Sequence, residues 1–167
     1  GRGYVPLPIQ TDREVRVPIL SLGGDLKNSF NLSAKNLHFL SQYAGDLQNK
    51  SIYTSFSDNI SHMRAIFSVD PMAYVCDCHP GYFSSEMAKE LATREGKPLL
   101  RIQHHHAHIA SVMAEHGVCS CIGVAFDGVV YGDDGAVWGG EFLLCQGEAY
   151  LRKGHLSYVS LVGGDAA

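Results

Sequence analysis

His104, His105, His106 and His108 stand almost in a row, and an aspartate- and glycine-rich run begins soon after them at Asp127. Residues four apart on a helix lie one turn apart on the same face, with about 5–6 Å between their Cβ atoms. His104 and His108 can therefore share one cation through neutral imidazole nitrogens, while His105 and His106 point elsewhere. A tag remnant or a solvated turn would also gather histidines. This run is internal, interrupted by Ala107 and flanked by core-like sequence, which disfavours both. The apolar strand Cys121–Phe126 then ends in Asp127-Gly128, and Tyr131-Gly132, Asp134-Gly135 and Trp138-Gly139-Gly140-Glu141 follow. The pattern predicts a hairpin with a glycine-lined turn that returns as a second strand over Ala136–Leu144. Glycines let backbone N–H groups approach a phosphate closely. A carboxylate at a strand end can hold a metal that a phosphate or acyl oxygen also touches. The metal candidates are thus His104, His108 and Asp127, which are also the candidates for chemistry.

The elements that must place these residues are legible in outline. Pro98–Ile102 reads as a short buried strand before the histidines, and Ile109–Glu115 as the continuing helix, with Ile109, Val112 and Met113 on its apolar side. Upstream, Arg16–Leu22, Ser29–Ala34 and Leu37–Gln42 read as a three-stranded antiparallel meander. Its first turn carries Gly24, Lys27 and Asn28, where paired glycines, a cation and an amide could hold phosphate oxygens or simply make a tight turn. Ser55–Ser68 is predicted helical, with Ser55 or Ser57 as N-cap and Phe56, Ile60, Met63 and Ile66 or Phe67 inward. A strand over Met72–Cys78, a helix over Tyr82–Glu95 and the Leu99–Gln103 strand complete a first unit. After the histidine helix a second meander begins, over Ile122–Phe126, Val137–Leu144 and Tyr150–Leu156. The topology restarts although the sequence does not repeat. Residues 1–15 read as linker, 16–117 as a first lobe and 118–167 as the start of a second lobe that stops within another glycine turn, as expected of a fragment.

Composition narrows the class. At 167 residues and 46% hydrophobic the chain can bury a sizeable core, and its net charge of −4 disfavours a nucleic-acid surface. No apolar stretch is long enough for a bilayer, and no signal-like apolar segment opens the chain. Five cysteines comprise Cys76/Cys78, Cys119/Cys121 and Cys145. The Cys-x-Cys spacing suits small core residues better than a zinc site, and reduced thiols fit a cytoplasmic setting.

The restarted meander-helix-strand-helix-strand plan resembles that of the actin, chaperone-ATPase and sugar-kinase (ASKHA) proteins. Within that group the sequence closely resembles the HypF family of hydrogenase-maturation carbamoyltransferases. The resemblance is carried by Arg2-Gly3-Tyr4-Val5-Pro6, Leu22-Gly23-Gly24-Asp25-Leu26-Lys27-Asn28, Phe39-Leu40-Ser41-Gln42 and Gly45-Asp46-Leu47. It continues through Asp77-Cys78-His79-Pro80-Gly81-Tyr82, Gln103–Ala110, Gly123–Gly128, Tyr131-Gly132, Asp134-Gly135, Trp138–Leu143 and Gly163–Ala167.

That resemblance implies an α/β fold: an actin-like ATPase/ribonuclease H-like lobe with a mixed five-stranded sheet flanked by helices, plus the opening β-meander of a second lobe. It implies a carbamoyltransferase that uses carbamoyl phosphate and ATP, through carbamoyl-adenylate, to modify the C-terminal cysteine of a HypE-like acceptor protein. Neither nucleic acid nor membrane enters as a partner. A divalent metal, iron or zinc, would sit on His104, His108, Asp127 and a further aspartate beyond Ala167, with Mg for ATP. Gly24, Lys27, Asn28, Gly128, Tyr131, Gly132, Gly139, Gly140 and Glu141 would surround the adenylate. Val129 and Val130 depart from the threonine and glycine common at those positions. Neighbouring readings are a threonylcarbamoyladenosine synthase, an antibiotic O-carbamoyltransferase, or a metal-binding scaffold without activity. The missing His-x-Glu-Gly-His pattern and the net acidity disfavour the first of these.

Overall fold

A computed structural model describes residues 7–26 and 28–158. The expected phosphate contact at Lys27 and the Gly163–Ala167 segment lie outside the described residues. Elements run in the order β1 (Ile9–Gln10), β2 (Ile19–Leu22), β3 (Phe30–Ala34), β4 (Leu37–Leu40), α1 (Lys50–Phe67), β5 (Ala73–Asp77), α2 (Phe83–Glu95), β6 (Leu99–Ile102) and α3 (His104–Glu115). They continue with β7 (Ser120–Ala125), β8 (Val130–Tyr131), β9 (Val137–Trp138), β10 (Glu141–Gln146) and β11 (Ala149–His155).

The first sheet has the order β1-β4-β3-β2-β5-β6. Strands β2, β3 and β4 form the expected antiparallel meander, and β5 and β6 add parallel to β2. The two-residue β1 pairs antiparallel with β4, so the segment read as linker contributes a sixth strand. Its side chains are exposed, which is why no apolar alternation marks it.

The core of this unit joins Leu20, Leu22, Phe30 and Leu32 of the meander to Phe56 and Ile60 of α1 and to Met87, Ala88 and Leu91 of α2. Phe30 and Phe56 meet edge to face at 5.4 Å, the arrangement that ring quadrupoles prefer. Helix α1 begins five residues before the predicted Ser55. Asn49, whose side chain accepts the Ser51 N–H, is its N-cap rather than a serine. Phe67 packs against the core and Ile66 is exposed, which resolves the alternative left by the sequence.

At the far end of the sheet Arg64 of α1, Glu95 of α2 and Tyr74 of β5 form a tight polar cluster. Glu95 accepts hydrogen bonds from Arg64 at 2.8 Å and from the Tyr74 hydroxyl at 2.5 Å, and Lys97 joins them at 3.0 Å. Strand β6 is not the buried strand its composition predicts. It forms an edge of the sheet, and Leu100 is exposed.

The second unit is a β11-β10-β7 antiparallel sheet covered on one face by α3. Ile109 and Met113 pack on Ala125, Leu143 and Cys145, and the contact is close enough that a Cβ at Gly123 would overlap Ile109. The predicted second strand is broken in two. Residues Glu141–Gln146 pair with β7, while Val137–Trp138 pair with Val130–Tyr131 in a separate two-stranded ribbon. The break falls at Gly139-Gly140, where Gly139 lies against the Gly128 carbonyl and Gly140 against Leu156.

The cysteines follow the predicted pattern only in part. Cys76 and Cys145 are buried, Cys78 and Cys121 are half-buried, and Cys119 is exposed.

Candidate metal centre

Helix α3 starts at His104 itself. Gln103 is its N-cap, with its side chain accepting the His106 N–H at 3.0 Å. The first helical turn therefore begins directly after the edge of β6 and carries the histidines to the end of β7, where Asp127 leaves the second sheet. His104 Nε2 and His108 Nε2 lie 3.1 Å apart. Asp127 Oδ2 lies 3.1 Å from the first and 3.0 Å from the second. Three donor atoms thus converge on one point from two elements, and these residues satisfy the separation needed to hold one ion together.

Asp77, at the end of β5, sits behind His104. Its Oδ2 lies 2.7 Å from His104 Nδ1, and its Oδ1 accepts the backbone N–H of His79 at 2.8 Å. This carboxylate is buried, whereas Asp127 is half exposed. The electrostatics follow from the geometry. The hydrogen bond to Asp77, assisted by Asp127, raises the pKa of His104 against the opposing effect of burial. Burial works to raise the Asp127 carboxyl, but hydrogen bonds from His108 and His104 hold it below its ordinary value.

The two remaining histidines do not face the triad, as their helical phase requires. His105 is fully buried, and its Nε2 lies 3.1 Å from the Asp127 carbonyl oxygen. His106 is buried with its ring 4.5 Å from that of Tyr150. Burial lowers the pKa of both.

The expected adenylate residues are sorted by the fold. Gly128 has open space where a Cβ would be. It lines, with Trp138, Gly139, Gly140 and Glu141, a cavity of about 420 Å³. Gly132, by contrast, is pressed against the Trp138 ring, and a Cβ there would also come within 2.7 Å of Asp134 Oδ1.

Glu141 is buried, pairs with Arg152 at 2.6 Å and accepts the Gly139 N–H. Arg152 lies over the Trp138 ring at 4.3 Å, and Trp138 donates to Asp134 at 2.8 Å. Gly132, Glu141 and Trp138 therefore hold the ribbon together. Val130 is buried in the second core and Val129 is exposed. The Asp133 carboxylate accepts the Tyr150 hydroxyl.

On the other side, a Cβ at Gly24 would meet the Tyr82 ring at 3.4 Å, and Tyr82 stacks on His79 at 4.1 Å. His79 in turn meets Tyr131 edge-on at 5.9 Å. Asn28 is buried, and its amide donates to the Asp25 and Gly45 carbonyls, which marks it as a brace for the turn.

Asp77, His79 and Asp25 stand in the segments that carry the resemblance, but nothing in the sequence assigned them a role. Asp77 is placed by the His104 ring it meets, and His79 by its backbone N–H on Asp77 and its ring on Tyr82. Asp25 accepts the backbone N–H groups of Phe83 and Ser84 at 2.8 and 2.9 Å, so it caps α2 from a distant loop. Tyr82, the N-cap position of α2, makes no side-chain capping bond of its own.

Two parts of the chain match family models: residues 14–115 match the HypF Kae1-like domain, and residues 123–167 match the second subdomain of the carbamoyltransferase Kae1-like domain. The whole chain is 44% identical to carbamoyltransferase HypF2 of Cupriavidus necator and 39% identical to carbamoyltransferase HypF of Synechocystis, spanning 21% and 22% of their lengths. The crystal structure of T. kodakarensis HypF superposes with a TM-score of 0.88 at 39% identity over 98% of this chain and 22% of that one. A full-length HypF in a phosphate- and nucleotide-bound form gives 0.87 at 42% identity, over 94% of this chain and 20% of that one.

The fold is thus a mixed α/β, ASKHA-like architecture of the Kae1-like kind. The chain belongs to the HypF family and corresponds to part of its C-terminal region, about a fifth of the length of these relatives. Among the described residues no helix is long and apolar enough to cross a membrane.

Proposed function

We propose that this chain forms part of a carbamoyltransferase that makes carbamoyl-adenylate from carbamoyl phosphate and ATP and passes the carbamoyl group to the C-terminal cysteine of a HypE-like acceptor, as in hydrogenase maturation. The supporting observation is the convergence of His104, His108 and Asp127 within 3.1 Å in a chain whose relatives carry the carbamoyltransferase name.

The donor set fits a divalent metal. Bonds near ~2.1 Å place the donor atoms of one ion about 3–3.4 Å apart, close to the separations found here. Two imidazoles and a carboxylate suit iron(II) or a catalytic zinc. When bound, such an ion polarises a carbonyl or phosphoryl oxygen as a Lewis acid. The chain's own residues supply the rest. His104 and His108 stay on a rigid helix, Asp127 is held by its backbone through His105, and Gly128 leaves room for a phosphate beside them. No residue of the site need act as a covalent nucleophile, because the acceptor's thiolate attacks.

The experiment is carbamoylation of the acceptor's C-terminal cysteine by the full-length protein, read by mass spectrometry with ATP, Mg²⁺ and carbamoyl phosphate present. His104→Ala, His108→Ala and Asp127→Asn should each lose bound metal and at least ~100-fold in rate, in the range expected for removing groups that stabilise developing charge. Full turnover by the His104→Ala/His108→Ala double variant would exclude this reading.

A further inference from the structure

We propose that Asp77 is a positioning residue for the metal centre, taking the Nδ1–H of His104 so that the His104 Nε2 lone pair faces His108 and Asp127. This inference rests on the metal reading above and adds a residue that does not touch the ion. A neutral imidazole has one proton to place, and two carboxylates compete for it. Asp77 approaches Nδ1 at 2.7 Å from a buried position, while Asp127 approaches Nε2 at 3.1 Å from a half-exposed one. Charge-assisted N–H···O bonds are strongest near ~2.7–2.9 Å and gain from a dry setting. The proton therefore belongs on Nδ1, and Nε2 is left as the donor to a cation. Metal-bound histidines generally donate their other ring N–H in this way, which fixes the tautomer, the ring orientation and the basicity of the ligating nitrogen.

The second oxygen of Asp77 gives the test its sharpness. It accepts the backbone N–H of His79, a donor that cannot change character. An asparagine at 77 has one oxygen and one NH₂ group. Its oxygen must stay on the His79 N–H, which turns the NH₂ toward His104. An NH₂ can only donate, so Nδ1 must become the acceptor and the ring proton must move to Nε2, where a cation would sit. Asp77→Asn is almost isosteric and still blocks the site by selecting the wrong tautomer.

Two measurements on the full chain separate the outcomes. Long-range ¹H–¹⁵N spectra of histidine-labelled metal-free protein, in buffer alkaline enough to keep His104 neutral, should show the Nδ1–H tautomer in the wild type and the Nε2–H tautomer in Asp77→Asn. Titration with Zn²⁺ alone against a chromophoric chelator should give stoichiometric uptake by the wild type and a 10- to 100-fold weaker Kd in the variant, the usual effect of losing such a partner. A wild-type His104 found as Nε2–H overturns the proposal without any variant. A loaded wild type matched by an equally tight Asp77→Asn overturns this inference alone. A wild type that takes up no Zn²⁺ overturns the metal reading and this inference with it.

Discussion

Gly128 and Gly132 stand four residues apart in the same glycine-rich run, yet they should respond to alanine in opposite ways. Neither shows the positive φ that alone would exclude a side chain, so space decides the result. At Gly128 a methyl group meets nothing within 4 Å. Folding stability should change by no more than ~0.5 kcal/mol, with a small gain available from the stiffer unfolded chain. At Gly132 the methyl group would overlap the Trp138 indole and come within 2.7 Å of Asp134 Oδ1. The ring cannot move freely, because it donates to Asp134 at 2.8 Å and lies under Arg152 at 4.3 Å. Retreat breaks the hydrogen bond to Asp134 and weakens the cation–π contact with Arg152. Overpacking of this kind typically costs about 1–3 kcal/mol, and Gly132→Ala should fall in that range. Urea unfolding of the chain measures both variants. Nucleotide titration of the full-length protein should reverse the order: Gly128→Ala weakens ATP binding about tenfold or more, near ~1.4 kcal/mol, if backbone at that position approaches phosphate. Equal destabilisation by the two substitutions, or unchanged ATP affinity in Gly128→Ala, would refute the division into a packing glycine and a ligand glycine.

Two further outcomes follow from the first unit. Against the upward push of burial, hydrogen bonds from Arg64, Tyr74 and Lys97 bring the Glu95 carboxyl down from 4.5 to about 2. A depressed carboxyl contributes stability that is present above the unfolded value and lost as pH falls through the folded one. Glu95→Gln should therefore cost about 1–2 kcal/mol at neutral pH after allowance for solvent screening. The gap between variant and wild type should close as the pH is lowered from 4.5 toward about 2, and a gap constant over that window in urea melts would contradict the assignment. Asp25→Ala leaves two backbone N–H groups of α2 without their acceptor. It should lower stability by about 1–2 kcal/mol in thermal melts, as loss of a helix cap does, and a neutral result would show that solvent replaces the carboxylate.

What the sequence made legible was whatever periodicity encodes. The β2–β4 meander, α2 and the core phase of α1 all follow from apolar spacing, and the His104/His108 pair follows from helical geometry alone. What it hid depends on contacts between distant segments. The exposed β1 has no alternation to read. The true start of α1 lies in the polar stretch Lys50–Thr54, where Asn49 supplies the cap and only Ile52 and Tyr53 pack inward. The split of the second hairpin turns on Gly139 and Gly140 approaching Gly128 and Leu156, which a local reading takes for phosphate-turn glycines. Among the expected ligand residues, Asn28, Gly132 and Glu141 are tied into bonds and packing within the fold. Asp77 stood in the sequence only as part of a resembling segment, for a related reason: its role is defined by the hydrogen bond it accepts from another residue's ring.

The second sheet carries one more consequence in its cross-strand register. Ile122, Leu144 and Leu151 lie side by side across β7, β10 and β11, and all three are exposed on the face opposite α3. Val124 continues the row, and Phe126 meets Phe142 edge-on beside it. A sheet that is apolar on both faces is built for the interior of a protein, and bare hydrophobic rows of this kind invite sticking. For anyone handling the chain by itself, that surface sets practical conditions: dilute working concentrations, a binding signal from hydrophobic dyes before any denaturant is added, and self-association that charge substitution at Ile122 or Leu151 would relieve.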